Sequence, residues 1–256
     1  MPTPLIELRN IRYSVPASDG ERRMILDDVS LVIEAGSITC LMGTSGSGKT
    51  TLLRLMAGLI LPESGEVLIE GKDICRLKEA ELNVIRREMG FVFQYSALFD
   101  SLNVAQNIGF ALDRQRRPQK EIKAVVTRLL AEVGLTGVET KRPSQLSGGM
   151  KKRVAMARAL AHSPKIVLYD EPDSGLDPIM TRVIDELILK MAREKNTTNV
   201  VVSHNVASIF RIADRVLMLN SAKIAADGSP AELQASPNPV VRQFIEGRAD
   251  GPILIQ

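Results

Sequence analysis

The sequence predicts an α/β fold with three parts: a parallel sheet packed with helices, an N-terminal antiparallel β-sheet and an inserted helical subdomain. Apolar runs that alternate with helical patterns are typical of a parallel sheet with helices on both faces. The N-terminal region instead alternates apolar and polar residues, as half-buried strands do. Residues 95–162 are mostly helical in pattern and contain no clear strand, which predicts the helical insertion.

The antiparallel sheet is predicted from Leu5–Tyr13, Ile25–Ile33 and the short run Glu66–Glu70. Ser14–Arg23 is polar and contains Gly and Pro, so we expect a hairpin loop there. Five further apolar runs resemble buried strands. They are Ser37–Met42, Gly90–Gln94, Lys165–Tyr169, Asn199–Ser203 and Arg215–Leu219. The predicted helices are Thr51–Ala57, Lys78–Met89, Val104–Leu112, Gln119–Val133, Ser147–Ala161, Pro178–Lys195 and Val206–Ala213.

The composition is that of an ordinary globular protein, with 256 residues of which 45% are hydrophobic and 25% are charged. The net charge of +3 is too small to indicate nucleic-acid binding by itself. Cys40 and Cys75 are isolated and lack metal-ligand spacing, which fits a reduced, cytosolic compartment. Since there is no signal-peptide pattern and no long apolar segment, a role at a membrane is expected to require a partner.

A phosphate-binding loop is predicted at Gly43–Thr50, which fits the pattern G-x-x-x-x-G-K-[ST] between a predicted strand and a predicted helix. Glycines let backbone N–H groups point at an anion, and the helix N-terminus adds partial positive charge. Lys49 would reach the β- and γ-phosphates, and the Thr50 hydroxyl would bind Mg²⁺. The predicted nucleotide contacts in this stretch are Gly43, Thr44, Ser45, Gly46, Ser47, Gly48, Lys49, Thr50 and Thr51.

Two carboxylates end the apolar run Ile166–Tyr169. In open parallel sheets ligands bind at the carboxyl ends of the strands, which places these carboxylates beside the phosphate loop. Asp170 would hold Mg²⁺ through its water shell, and Glu171 would orient the water that attacks the γ-phosphate. The alternative is a strand end that merely turns into solvent, and the phosphate loop in the same chain disfavours it.

A second anion-binding element is predicted at Ser147, Gly148 and Gly149, which begin a helix. Ser147 is a good N-cap residue, and two glycines allow the backbone to approach an anion closely. One nucleotide cannot easily use both this element and the phosphate loop. The pattern therefore favours two chains that face each other.

Together these motifs resemble, in their order and over nearly the whole chain, those of the nucleotide-binding subunits of ABC transporters. Gln94 stands at the position of the family's Q-loop glutamine, and Leu146–Met150 is similar to the LSGGQ signature. Ser174–Asp177 is similar to the D-loop, and His204 to the switch histidine. Tyr13 lies where the family stacks an aromatic ring on adenine. The signature ends in Met where the family has Gln, which puts in doubt only a polar role at that position.

The resemblance implies a P-loop NTPase core of the ABC ATPase type from residues 1–94 and 163–236. It also implies a helical signature subdomain at 95–162 and a C-terminal tail at 237–256. Two subunits would sandwich two ATP molecules, with Ser147 and Gly149 reaching the γ-phosphate that the opposite chain binds. The implied catalytic residues are Lys49, Gln94, Glu171 and His204, and the implied Mg²⁺ ligands are Thr50, Gln94 and Asp170.

The tracts around Gln94, around the signature and at residues 238–247 resemble those of ATPases of the Mla type. Such ATPases work with an integral membrane permease and a lipid-binding Mce-domain protein to move phospholipids between Gram-negative inner and outer membranes. The resemblance further implies a small cytoplasmic STAS-type subunit and a peripheral location on the cytoplasmic face of the inner membrane. A sterol or another hydrophobic cargo, carried by a different Mce-associated transporter, remains an alternative.

Two other classes of function explain less of the sequence. A soluble ABC ATPase that acts on nucleic acid finds support only in the basic run Arg114–Arg117, which is more often a solvated loop. Such proteins typically contain two fused cassettes or a long coiled-coil insertion, and this sequence shows neither. No nucleic-acid partner is therefore expected. A P-loop kinase for a small substrate leaves Gln94, the signature and His204 unexplained.

Two surfaces are predicted to meet partners. Tyr95, Ala97, Leu98 and Phe99 form an apolar cluster at which the permease is expected to dock. The tail from Pro237 onward has apolar residues at helical spacing, so we expect it either to clasp a partner or to pack on its own core.

Overall fold

The computed structural model describes residues 4–17 and 20–253, which form two sheets and nine α-helices. The strands are β1 (Pro4–Pro16), β2 (Arg22–Glu34), β3 (Ile38–Gly43), β4 (Ser64–Ile69), β5 (Lys72–Asp73), β6 (Met89–Val92), β7 (Ile166–Asp170), β8 (Thr198–Val202), β9 (Arg215–Asn220) and β10 (Lys223–Gly228). The helices are α1 (Lys49–Met56), α2 (Glu79–Arg86), α3 (Val104–Arg114), α4 (Gln119–Glu132), α5 (Gly148–Leu160), α6 (Pro178–Lys195), α7 (Val206–Ile212), α8 (Pro230–Gln234) and α9 (Pro239–Glu246). Short 3₁₀ turns lie at Ile74–Arg76 and Pro143–Gln145.

The central sheet has the strand order β10-β9-β3-β8-β7-β6. The five strands predicted for it are present and run parallel to one another. The sequence does not predict β10, which pairs antiparallel with β9 at the edge of the sheet. Because β3 lies between β8 and β9, the loop that follows β3 lies in the middle of the carboxyl edge of the sheet, where ligands bind.

The second sheet is antiparallel in the order β2-β1-β4-β5, so the predicted place of Glu66–Glu70 in it is confirmed. The hairpin predicted over Ser14–Arg23 is present, but its loop is shorter than expected, because β1 runs to Pro16 and β2 begins at Arg22. The polar side chains at these strand ends bond to one another and to Glu63, while Arg22 and Glu63 stay exposed to solvent. Arg22 Nε donates to Ser14 Oγ at 2.7 Å, and Ser14 Oγ donates to Glu63 at 2.7 Å.

The two faces of the central sheet are covered differently. Alternate strand residues such as Cys40 and Met42 pack with helices α5, α6 and α7 on one face. Leu41 and Leu217 point to the other face, where α1, α2 and the antiparallel sheet cover them. The predicted helices on both faces are therefore present, with a second sheet sharing one of the faces.

The described chain contains no strand between Tyr95 and His162, and helices α3, α4 and α5 occupy most of this stretch. Helix α5 also packs closely on the central sheet, since a Cβ on Gly90 of β6 would lie 2.5 Å from the Ala159 carbonyl oxygen. This close approach requires glycine at position 90. The division into a core and a helical subdomain stays a prediction.

The tail helix α9 packs on its own chain, because Val241 is fully buried and Val240, Phe244 and Ile245 are packed against the main core. The Gln243 amide also donates to and accepts from the backbone of Ile253, at 3.2 and 2.7 Å. For this helix the structure therefore favours packing on its own core and disfavours the alternative in which it clasps a partner. Leu254–Gln256 lie outside the described residues. No helix in the described part of the chain is long and apolar enough to cross a membrane.

Candidate nucleotide site

The phosphate loop joins β3 to α1 and is shaped by glycines that no other residue could replace. A Cβ on Gly43, whose φ is 141°, would lie 2.1 Å from the Leu219 carbonyl oxygen. A Cβ on Gly48, whose φ is 101°, would lie 2.8 Å from the Ile25 carbonyl oxygen. Both positions therefore need glycine for conformation and for space. The predicted helix after the loop begins at Lys49, two residues earlier than expected.

Lys49 is buried inside this loop, with 4% of its surface exposed. Its ammonium group donates to the carbonyl oxygens of Gly43 and Thr44, at 2.9 and 2.8 Å. Burial lowers the pKa of Lys49 to about 8, against the opposing effect of the Glu171 and Asp170 carboxylates. A cation held in this way lies where the phosphates of a nucleotide are expected to bind.

Asp170 is the last residue of β7 and Glu171 follows it, at the same edge of the sheet as the phosphate loop. Thr50 Oγ1 donates to Asp170 Oδ1 at 2.9 Å, so the structure brings two of the three predicted Mg²⁺ ligands together. Burial raises the pKa of Asp170, and the Thr50 hydroxyl opposes this shift. Glu171 adopts a left-handed backbone conformation with φ of 47°. Conformations of this kind cost free energy in residues other than glycine and concentrate at functional sites.

The carboxylate of Glu171 is held from two sides by two of the other predicted catalytic residues, Gln94 and His204. Gln94 Nε2 donates to Glu171 Oε2 at 2.7 Å, and His204 Nε2 lies 2.8 Å from Glu171 Oε1. Gln94 follows β6, Glu171 follows β7 and His204 follows β8, which are neighbouring parallel strands. The topology therefore explains why three residues so distant in sequence meet at one point.

The donors at this site fit Mg²⁺. Magnesium prefers oxygen ligands and commonly takes only one or two from the protein, with phosphates and waters completing its shell. The Thr50 hydroxyl and the Asp170 carboxylate supply such oxygens beside the phosphate loop. No group of three or more His, Cys, Asp and Glu side chains able to hold a metal occurs among the described residues.

A cavity of about 760 Å³ lies against the phosphate loop. Besides Thr44–Ser47 it is lined by β2 residues such as Arg23 and Met24, by the β9–β10 turn and by Ile253. Tyr13, predicted to stack on adenine, does not line this cavity in the described structure and packs instead against the core shared with the antiparallel sheet. Its proposed contact with adenine stays a prediction.

The signature residues lie away from this cavity. Ser147 caps α5 by accepting a hydrogen bond from the Met150 N–H at 3.3 Å, as predicted for a helix start. Ser147 and Gly148 are exposed, whereas Gly149 is buried under Met180 of α6. None of these residues lines the cavity at the phosphate loop in the described chain.

Three polar residues beside the site are not among the site residues predicted from the sequence: Lys152, Asp173 and Ser203. Lys152 is buried and bonds the backbone of Gln94 and Glu171, and Ser203 Oγ donates to Asp173 at 2.9 and 3.1 Å. One signal for Lys152 was available in the sequence. It lies three residues after Gly149 and four before Met156, which places it on the buried face of α5.

Comparisons with known proteins agree with this geometry. Residues 26–174 match the family model described as ABC transporter. The chain is 41% identical to the intermembrane phospholipid transport system ATP-binding protein MlaF of Haemophilus influenzae, over 97% of this chain and 93% of that protein. It is 44% identical to protein TRIGALACTOSYLDIACYLGLYCEROL 3, chloroplastic, of Arabidopsis thaliana, over 97% of this chain and 75% of that protein. A solved dimer of MJ0796, a bacterial ABC transporter cassette, superposes with a TM-score of 0.82 at 33% identity, over 88% of this chain and 98% of that one.

Proposed function

The chain belongs to the ABC transporter family, and on that premise we propose that it is the ATP-hydrolysing subunit of a transporter that moves phospholipids between two membranes. The single observation that carries the hydrolytic role is the position of Glu171. Its carboxylate lies between Gln94 and His204 at the edge of the sheet that holds the phosphate loop. The likeness to phospholipid-transport ATPases over nearly the full length supports the choice of cargo.

In the proposed mechanism the chain's own residues bind, orient and stabilise. The phosphate loop and Lys49 bind the phosphates, while Thr50 and Asp170 hold Mg²⁺, which neutralises phosphate charge when bound. Glu171 orients the attacking water and accepts its hydrogen bond, and His204 donates to the γ-phosphate. Since phosphoryl transfer needs little covalent help from the protein, positioning and electrostatic stabilisation supply most of the rate enhancement.

The proposed active unit is a dimer of this chain. The exposed N-terminus of α5 offers Ser147 and Gly148, which are not part of the lining of the cavity at the phosphate loop of the same chain. Helix N-termini bind anions, so a second copy would complete each site by placing its α5 against the γ-phosphate. Solved dimers of ABC cassettes with the same fold support this arrangement.

The proposed membrane partner is a separate permease, which docks on the loop of residues 95–99, named here the docking loop. Tyr95 is 87% exposed and Phe99 is 44% exposed, and both follow Gln94 closely. A permease bound there would sense changes around Gln94. We further propose an Mce-domain lipid-binding protein and a STAS-type subunit as partners, with the chain at the cytoplasmic face of the inner membrane.

Replacing Glu171 by Gln tests the hydrolytic role. The amide keeps the shape but loses the charge that polarises water, so turnover is expected to fall about tenfold or more, ~1.4 kcal/mol in barrier, while ATP binding persists. Steady-state hydrolysis and ATP binding by the complex purified from membranes are the measurements. Glu186→Gln, on the exposed face of α6, serves as the matched control. Near-normal turnover of Glu171→Gln would contradict the assignment.

Purification of the tagged chain from membranes tests the transport role. A co-eluting permease together with phospholipid supports it, whereas a co-eluting sterol or other lipid would redirect the cargo. Recovery of the chain with RNA or DNA and without a permease would favour the soluble alternative.

A further inference from the structure

Lys152 occupies an unusual position for a lysine. It lies in α5 with 6% of its surface exposed. Its ammonium group donates to two backbone carbonyl oxygens from different parts of the chain, that of Gln94 and, at 3.1 Å, that of Glu171. These are the same two residues whose side chains bond each other at 2.7 Å.

Burying an ammonium group costs free energy unless hydrogen bonds compensate for its lost hydration. The bonds to the carbonyl oxygens of Gln94 and Glu171 supply this compensation for Lys152. Burial lowers the pKa of Lys152, while the carboxylates of Asp173, Glu171 and Asp170 act in the opposite direction. Lysine suits this place because its three N–H donors radiate from one atom and can meet two carbonyl groups at once.

The backbone of Glu171 needs such an anchor. Its left-handed conformation is unfavourable for a residue with a side chain and persists only where surrounding contacts enforce it. The bond from Lys152 reaches the carbonyl oxygen of this very residue. Gln94 is anchored by the same atom, so one ammonium group fixes both residues relative to each other and to α5.

We propose that Lys152 is a positioning residue for ATP hydrolysis, which holds Gln94 and Glu171 in register and ties them to the helix that begins with the signature. The inference depends on the roles proposed above for Glu171 and Gln94. Lys152 also links these two residues to the proposed dimer interface, because Ser147 lies five residues before Lys152 at the start of α5. A movement of α5 against the partner's nucleotide would thus reach the hydrolytic carboxylate of its own chain.

A double-mutant cycle with Glu171 separates positioning from mere stabilisation of the fold. In the assembled complex, Lys152→Met is expected to lower kcat roughly tenfold to a hundredfold, because small misplacements of reacting groups have effects of this size. The dissociation constant for ATP should change less than about twofold, since Lys152 bonds the backbone of Gln94 and Glu171 and not the phosphate loop. Lys152→Arg should recover only part of the rate, because arginine keeps the charge but its planar fork does not reproduce donors that radiate from one atom.

The decisive result comes from the Glu171→Gln background. If Lys152 acts through Glu171, adding Lys152→Met there should change the residual rate by less than about twofold. Equal losses in both backgrounds would mean that Lys152 only stabilises the fold, and wild-type kcat in Lys152→Met would also overturn the inference. Lys151→Met, a neighbouring and half-buried lysine, is the control. If Lys152→Met does not fold, Lys152→Gln replaces it in the same cycle. Absence of hydrolysis in the wild-type complex would instead refute the proposed function.

Discussion

At the scale of single residues, Tyr169 offers a sharp test of the packing in β7. Its side chain is fully buried, and its hydroxyl has no hydrogen-bond partner in the described structure. A buried polar group without a partner costs free energy, so Tyr169→Phe is expected to raise the free energy of unfolding by about 1 kcal/mol. Urea denaturation measures this. Tyr95→Phe, which removes an exposed hydroxyl, should change nothing, and a loss of stability in Tyr169→Phe would contradict the expectation.

The buried side chain of His162 is expected to make the free energy of unfolding depend on pH. Burial lowers its pKa in the folded chain, while its Nε2 contacts the Met89 carbonyl oxygen at 3.1 Å. The unfolded chain therefore binds more protons between the lowered pKa and the ordinary value, so stability falls as the pH drops below about 6.5. Melting temperatures of the wild type and of His162→Gln at neutral and mildly acidic pH measure this. The melting temperature of His162→Gln should fall less on acidification than that of the wild type. Equal falls would show that His162 does not contribute to the pH dependence of stability.

The residues of the candidate site differ in how far sequence predicts them. The pattern around Lys49 and the strand end at Asp170 and Glu171 are local, so the sequence is sufficient to find them. The contact of Glu171 with Gln94 and His204 depends on strand order, which family resemblance supplies and periodicity does not. The spacing of Lys152 from Gly149 and Met156 places it on the buried face of α5, but its two carbonyl partners depend on the tertiary structure and could not be predicted.

At the scale of elements, the docking loop is held firmly from both sides. Arg158 of α5 donates to the Ala97 carbonyl oxygen at 2.6 Å and to that of Ser96 at 3.0 Å. Asn107 of α3 bonds both the N–H and the carbonyl oxygen of Phe99, at 2.8 and 3.1 Å. Leu98 is half-buried and packs against the core, so only its neighbours offer a free apolar surface.

Replacing the exposed residues Tyr95 and Phe99 therefore tests the docking loop more directly than replacing Leu98 does. Tyr95→Ser with Phe99→Ser should keep ATP affinity but lose permease association and lipid transport, and should lower the free energy of unfolding only by the cost of the Phe99–Phe110 ring contact, about 1 kcal/mol. Leu98→Ala is the contrasting control, because a change against the core should lower the melting temperature. Co-purification with the permease, thermal unfolding and lipid transport are the measurements. A stable double variant that still binds the permease and transports lipid would exclude this docking surface.

Most elements were predictable because their patterns are long or strongly apolar. Helix α6 has the predicted bounds, with Asp177 capping its start and Asn196 ending it in a left-handed conformation. The edge strand β10 was not predictable, since Lys223–Gly228 contains only one large apolar residue and is stabilised by pairing with β9. The ends of β1 and β2 were missed for a similar reason, because Glu63 binds their polar residues from outside the hairpin.

At the scale of the whole molecule, mixed dimers test whether sites are shared between chains. Lys49→Ala disables the phosphate loop, and Ser147→Arg blocks the exposed start of α5. Neither variant alone should hydrolyse ATP, because every site in such a homodimer has a lesion. In a mixed dimer both lesions fall on one site and leave the other intact, so hydrolysis should recover on mixing. ATPase rates of each sample and of the mixture measure this. Failure to recover, or full activity of a strictly monomeric wild type, would contradict a shared site.

The pairing of the site's own residues has a consequence for the cell. Lys49 is bonded to the carbonyl groups of its loop, and Glu171 is engaged by Gln94 and His204. A nucleotide must exchange these bonds for new ones, and such exchanges yield little net free energy each. Because each proposed site is completed by the start of α5 from a second copy, a lone subunit would be a poor consumer of ATP. Copies synthesised in excess of their membrane partners would burden the cell with their synthesis but hardly drain its nucleotide pool.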